Sequence, residues 1–337
     1  YLERKMPASE ALCEIWRGSF LESLHMGHAV ICDDTGQIVK SWGDPDAVIL
    51  PRSSAKMIQA LPLLSSGAGD HYGLAEQDLA LACASHQGGQ IHTSRVSAWL
   101  QALGYDQTAL RCGAQPPRDR DEKRRVQAAQ EAPCQIHNNC SGKHTGFLTL
   151  GRFLKGDDAY TDIAHPVQRA CLEAFEQVTD AASPGHAIDG CSAPNFATSL
   201  LGLARAMAWF ASAEARIDGA SQAAVRLRGA MAQYPDLVAG EGRACTELMQ
   251  AMQGGTVVKT GAEGVFVAII PQKRFGIAVK ILDGSTRASE CAIAALLCAL
   301  GALPPAHPAT LKRMHAPIVN WSGLHTGEIR PAPGLTL

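Results

Sequence analysis

The chain has 337 residues, 46% hydrophobic and 18% charged, enough apolar side chain to fill a sizeable core and too much for a disordered chain. With 30 Lys and Arg against 32 Asp and Glu, the formal net charge is −2, which leaves no long-range field to attract nucleic acid or an anionic membrane. The balance therefore argues against nucleic-acid and membrane partners and favours small-molecule chemistry.

The N-terminal stretch YLERKMPASEALCEIW lacks the apolar core and cleavage site of a signal peptide, and Tyr1–Lys5 read as a remnant ahead of Met6. His28–Cys32 and Ile38–Trp42 are short β-prone runs joined by Asp33-Asp34-Thr35-Gly36, a hairpin with Gly available for a positive φ. Val48–Leu50 leads into Pro51-Arg52-Ser53-Ser54, where a Ser can cap the helix that follows. Helical stretches are predicted over Glu76–Ser85 and Ile91–Leu103, the second stopped by Gly104. Residues 114–133 hold Pro116-Pro117 and the run RDRDEKRR, whose mixed signs suit a solvated face rather than a polyanion site.

From Asn139 to Asp236 the pattern is mostly helical, over His144–Leu154, His165–Val178, Ser199–Ala213 and Gln222–Gln233. Sheet signals return at Val257–Val258, Val265–Ile270 and Phe275–Leu282, and a closing helix is predicted over Ser285–Leu300. Strands at both ends around a helical middle predict an α/β (α+β) chain with one mainly antiparallel sheet. That sheet would draw on residues 20–50 and 255–300, the helical region on 55–250, within a single domain over 7–337. The site would sit in loops where sheet meets helices. No internal repeat is present.

The eleven cysteines are scattered from Cys13 to Cys298 in a chain too long to need disulfide staples, which suggests reduced thiols in a cytoplasmic protein. Cys83, Cys171, Cys291 and Cys298 sit in Ala/Leu-rich runs as small core residues. The longest apolar run, Cys291–Leu303, is broken by Gly301 and ended by Pro304-Pro305, so it fits a buried helix rather than a membrane span.

Ser53-Ser54-Ala55-Lys56 is an S-x-x-K match at a predicted helix start, a spacing that puts a Ser hydroxyl and a Lys amine on one face. The hydroxyl needs a base, and a lysine serves as one when burial or a neighbouring cation favours its neutral form. Arg52 is such a cation, or a fork for a substrate carboxylate. A capping serine beside a solvated lysine gives the same pattern. Lys259 in Val258-Lys259-Thr260-Gly261 stands where penicillin-recognising serine enzymes carry K-T-G, but it also reads as a turn lysine. The S-D-N element of those enzymes is absent, and Ser85 in Ala84-Ser85-His86 could supply a comparable hydroxyl.

Cys140, Lys143 and Cys191 could hold zinc with a water, although lysine is a rare ligand and no C-x-x-C is present. Cys134 and His137 read as loop residues, and His71, His92, His165 and His186 show no ligand spacing.

Arg52-Ser53-Ser54-Ala55-Lys56, Cys83-Ala84-Ser85-His86, Asn139-Cys140-Ser141-Gly142-Lys143-His144-Thr145-Gly146, Ile188-Asp189-Gly190-Cys191 and Val238-Ala239-Gly240-Glu241-Gly242-Arg243 together resemble the Rhizobium-type, zinc-containing L-asparaginases in wording and order. The likeness runs over residues 20–300. It implies a fold like that of serine β-lactamases and glutaminases, and hydrolysis of L-asparagine to L-aspartate and ammonia by a homodimer. It also implies one Ser–Lys tandem of Ser53 and Lys56, a second of Ser85 and Lys259, and one zinc per subunit on Cys140, Lys143 and Cys191. Arg52, His144 and Asp189 would lie near the substrate. Where the family often carries a second cysteine shortly before the zinc cysteine, this chain has His137 and Asn138. Rival readings are a glutaminase or penicillin-type acyl hydrolase on the same scaffold, and a non-catalytic zinc-stabilised binding protein.

Overall fold

The hairpin predicted around Asp33–Gly36 is present, with Gly36 at φ +79°, and it belongs to a larger sheet. The computed structural model describes residues 8–337, so Tyr1–Lys5, read above as a remnant, lie outside the described residues. These form two compact units: the chain up to Ser54 with Thr198–Ser212 and Glu247–Leu337, and Ala55–Ala197 with Ala213–Thr246.

The first unit is built on an eight-stranded antiparallel sheet. Its organiser is the strand Phe20–Cys32, 13 residues long. Glu10–Arg17 pairs along its first half, Ile38–Trp42 continues on that edge, and Phe275–Ile281 takes the other edge. Val265–Ile270 and Val257–Thr260 extend the sheet past Phe275–Ile281, while His325–Pro331 and Pro317–Val319 extend it past Glu10–Arg17. The sheet thus combines both chain ends, as predicted, but reaches further towards each. Glu10–Arg17 was missed because EALCEIWR has weak β-propensity; burial of Leu12, Cys13 and Ile15 against its neighbours decides the matter.

Every residue of Val265–Ile270 is buried. Successive strand side chains point to opposite faces, so both faces must be covered. The helices Leu200–Ala211 and Thr286–Ala299 pack on these central strands. Leu200–Ala211 falls inside the region expected to be helical, yet it belongs with the sheet. It lies directly on strand backbone, since a Cβ at Gly276 would collide with the backbone of Ala204 and Ala208.

The second unit is helical around Ser141–Phe153, in which Ser141 to Gly151 are all buried. A helix apolar or small on every side is a core helix. Leu61–Ser65, Glu76–Ala82, Gln90–Ala102 and Pro166–Thr179 surround it. Gly142 permits the closest of these approaches: a Cβ there would strike the carbonyl of Leu81. The run RDRDEKRR forms the start of helix Arg120–Ala128, capped by Asp119, with a solvated face as expected but with Glu122 and Val126 buried. A short hairpin, His186–Ile188 with Pro194–Phe196, was not predicted; its turn carries Asp189 and Cys191. Nine of the eleven cysteines are buried. Among the described residues, no helix is long and apolar enough to cross a membrane.

Candidate active site

Three of the ten predicted site residues, Arg52, Ser53 and Lys259, lie in the sheet unit. Strand Val48–Ile49 runs through Pro51 into the tight turn Arg52–Ala55. Arg52 adopts φ +54°, a conformation that costs a non-glycine residue energy and that clusters at functional sites. The two adjacent serines differ in use. Ser54 is buried and its Oγ donates to Pro51 O at 2.7 Å, whereas Ser53 is half-buried. Lys259 lies on a strand rather than in a turn, is buried, and donates from Nζ to Thr260 O at 3.0 Å. Two residues on, Gly261 backs onto the Ser53 turn: a Cβ there would stand 2.6 Å from Pro51 O.

The other seven, Lys56, Ser85, Cys140, Lys143, His144, Asp189 and Cys191, lie in the helical unit. Helix Glu76–Ala82 stops before Ser85, which the sequence placed at the helix end. The loop beyond it is held by Ser85 N donating to Val238 O at 2.8 Å and His86 N to Asn139 O at 3.2 Å. Lys56, only 1% exposed, reaches across to this loop, its Nζ 2.5 Å from Ala84 O and 3.0 Å from Ser85 Oγ. The expected tandems joined Lys56 to Ser53 and Ser85 to Lys259. The structure adds a Ser–Lys contact between one member of each.

The L-asparaginase II family profile matches residues 13–331, nearly the whole chain. The chain belongs to the L-asparaginase II family. This is a family of hydrolases acting on amides. No curated protein matches the chain. Solved structures similar to it include Mglu in its native form, 14% identical with a TM-score of 0.47, where the match covers 85% of this chain and 66% of that one. A beta-lactamase from Mycobacterium bovis is 13% identical with a TM-score of 0.47, the match covering 82% of this chain and 95% of that one. Likenesses this remote do not bear on substrate or mechanism.

In this L-asparaginase II chain, Cys140, Lys143 and Cys191 lie near one another. Lys143 Nζ stands 3.1 Å from Cys191 Sγ, and all three side chains are buried. A hydrogen bond with Cys140 holds the Cys191 thiol far below its ordinary range, against burial and with help from Lys143. The same bond, with burial, pushes Cys140 up. Burial opposes the charge on Lys143, but the thiols of Cys191 and Cys140 outweigh it and hold the amine above its usual range, and Asp189 adds to this. The amine and the sulfurs therefore each favour the charged form of the other. Among the described residues no group of three or more His, Cys, Asp and Glu is arranged for a metal; this set reaches three only through its lysine. Two sulfurs and an amine nonetheless suit a borderline-soft ion.

His144 donates or accepts at Nδ1 with Tyr160 Oη, 2.9 Å away, and burial pushes its pKa down to about 4. Its Nε2 is buried on the side of Cys191. Two further residues were given no role by sequence. Tyr160 orients His144 and takes a hydrogen bond from Arg111 N at 2.6 Å. His86 joins Ser141 Oγ at 2.9 Å, tying the Ser85 loop to the helix bearing Lys143, and burial holds it neutral. Nothing in their spacing marks them; His86 is adjacent to Ser85, and that is the sole local signal.

Proposed function

We propose that this chain hydrolyses L-asparagine to L-aspartate and ammonia by acyl transfer through a serine. Membership of an amide-hydrolysing family supports the reaction class, and the buried contact between Lys56 Nζ and Ser85 Oγ at 3.0 Å supports a Ser–Lys proton path. In the proposed sequence Ser53 Oγ attacks the side-chain amide carbon while its proton passes to Lys56. The C–N bond breaks, the proton returns to the leaving nitrogen, and ammonia departs. Water then cleaves the aspartyl ester and restores the serine. Ser85, bonded to Lys56, extends the proton path, with Lys259 as its second lysine. Arg52 offers a bidentate fork to the substrate α-carboxylate, Asp189 a carboxylate to its ammonium, and His144 a neutral ring.

Cys140, Lys143 and Cys191 are the residues proposed to hold zinc, which when bound supplies a fixed positive charge able to orient a polar substrate. Lys143 must shed its proton to ligate, against the pull of the two thiols.

A coupled ammonia assay tests the reading. Release from L-asparagine should exceed release from L-glutamine, with no β-lactam opened, and S53A should abolish turnover. One methylene is worth only about 1–3 kcal/mol in discrimination, so slow glutamine use is compatible. No ammonia from either amide would reject the proposal.

A further inference from the structure

Outside the residues used so far, one cluster in the helical unit joins a nucleophile, a base and an acid. Cys134 Sγ lies 3.3 Å from His137 Nδ1, and His137 Nε2 lies 3.2 Å from Glu122 Oε1. The tautomer follows from a third contact. Cys134 N–H donates to Nδ1 at 3.1 Å, so Nδ1 carries the lone pair and Nε2 carries the proton offered to Glu122. The thiol competes with that N–H for the single Nδ1 lone pair; when the thiol proton moves there the N–H contact is given up, and Glu122 holds the imidazolium that results. Glu122 is itself fixed by Arg125, whose Nε lies 3.1 Å from both carboxylate oxygens and whose Nη2 donates to Oε1 at 2.9 Å.

Exposure divides the cluster usefully. Glu122 and His137 are 6% and 7% exposed, so acid and base are sheltered from water. Cys134 is half-buried, and with Cys298 it is one of only two cysteines that are not buried. The residues come from three separate structures: the helix Arg120–Ala128, the turn Gln135–His137, and the residue that caps that turn. A helix cap alone would need only Cys134 and His137; the buried Glu122 behind the imidazole is what a proton acceptor requires.

We propose that Cys134 is an activated thiol and a modification site for low-molecular-weight disulfides. Its proton passes to His137 Nδ1, and the thiolate attacks one sulfur of the disulfide. A new S–S bond forms as the old one breaks. The displaced half leaves as a thiolate and takes the proton from His137, so a disulfide and a thiol are exchanged for a mixed disulfide and a thiol.

The test uses the intact chain with oxidised glutathione as probe, and iodoacetamide in parallel, each site followed by peptide mass spectrometry. Cys134 in the folded protein should react about tenfold or more faster than the same cysteine in urea-unfolded chain, and should be the first of the eleven to gain glutathione. H137N should remove that advantage and E122Q should reduce it. A folded-state rate for Cys134 equal to or below its unfolded-state rate overturns the proposal without any variant. So does an unchanged rate in H137N.

Discussion

Replacing Lys56 by Met removes one amine while keeping an unbranched, apolar stem of similar length in a site that is 1% exposed. The lost Nζ contacts are those to Ala84 O at 2.5 Å and Ser85 Oγ at 3.0 Å. Leaving such buried groups short of a partner costs about 1–3 kcal/mol, against a total stability of about 5–15 kcal/mol. K56M should therefore stay folded, with a melting point lowered by only a few degrees. Turnover should suffer far more. Removing a positioned proton acceptor lowers rates by about 10²–10⁴-fold, a barrier increase of about 3–5 kcal/mol. Ammonia release at saturating L-asparagine, measured beside a thermal melt, separates the two effects. S85A should also be impaired, and K56M/S85A should be little worse than K56M, because groups that act as a unit do not add. A folded K56M keeping more than about a tenth of wild-type kcat would refute the role of Lys56. Losses that multiply in the double variant would refute the coupling.

G142A places a methyl group against the Leu81 carbonyl, which should cost about 1–3 kcal/mol and displace Cys140 and Lys143, lowering both the melting point and kcat. G229A, in a helix with open space around its Cβ, is the control and should be neutral or gain up to about 1 kcal/mol. C191S should cut zinc measured by elemental analysis of the purified chain by about tenfold or more; unchanged zinc content would show the ligand set to be wrong. Glu122 predicts a pH effect with a definite sign. Its carboxyl is held below the usual range by the Arg125 hydrogen bond, against burial and with help from His137. A depressed carboxyl contributes stability above its unfolded pKa and loses it as pH falls through the folded one. E122Q should melt below wild type at neutral pH, by roughly 1 kcal/mol, and the gap should close below about pH 4.

The sequence made the sheet legible where hydrophobic periodicity is strong, as in Val265–Ile270 and Phe275–Ile281, and illegible where pairing rather than propensity decides. Glu10–Arg17 and His325–Pro331 are strands because each supplies the other's missing hydrogen bonds. Leu200–Ala211 was correctly read as a helix but placed in the helical region, since its periodicity cannot tell which surface it covers; Gly276, the residue that admits it, is 65 positions away or more. At the site, the motifs named the residue types, and Cys140 stands at the cap of the helix that carries Lys143. The reach of Lys56 to Ser85 was not, because it depends on where helix Glu76–Ala82 ends and how Val238 and Asn139 pin the loop after it. Cys134 and His137 passed as loop residues for the same reason: their third partner, Glu122, lies inside a charge run that looks wholly solvated.

The proposed reaction passes through a covalent aspartyl ester on one serine. Acid quenching during steady turnover of L-asparagine, followed by peptide mapping, should find the chain carrying an aspartyl group on Ser53, and none in S53A. Ammonia released at full rate with no adduct on any serine, or an adduct confined to Ser85, would contradict it.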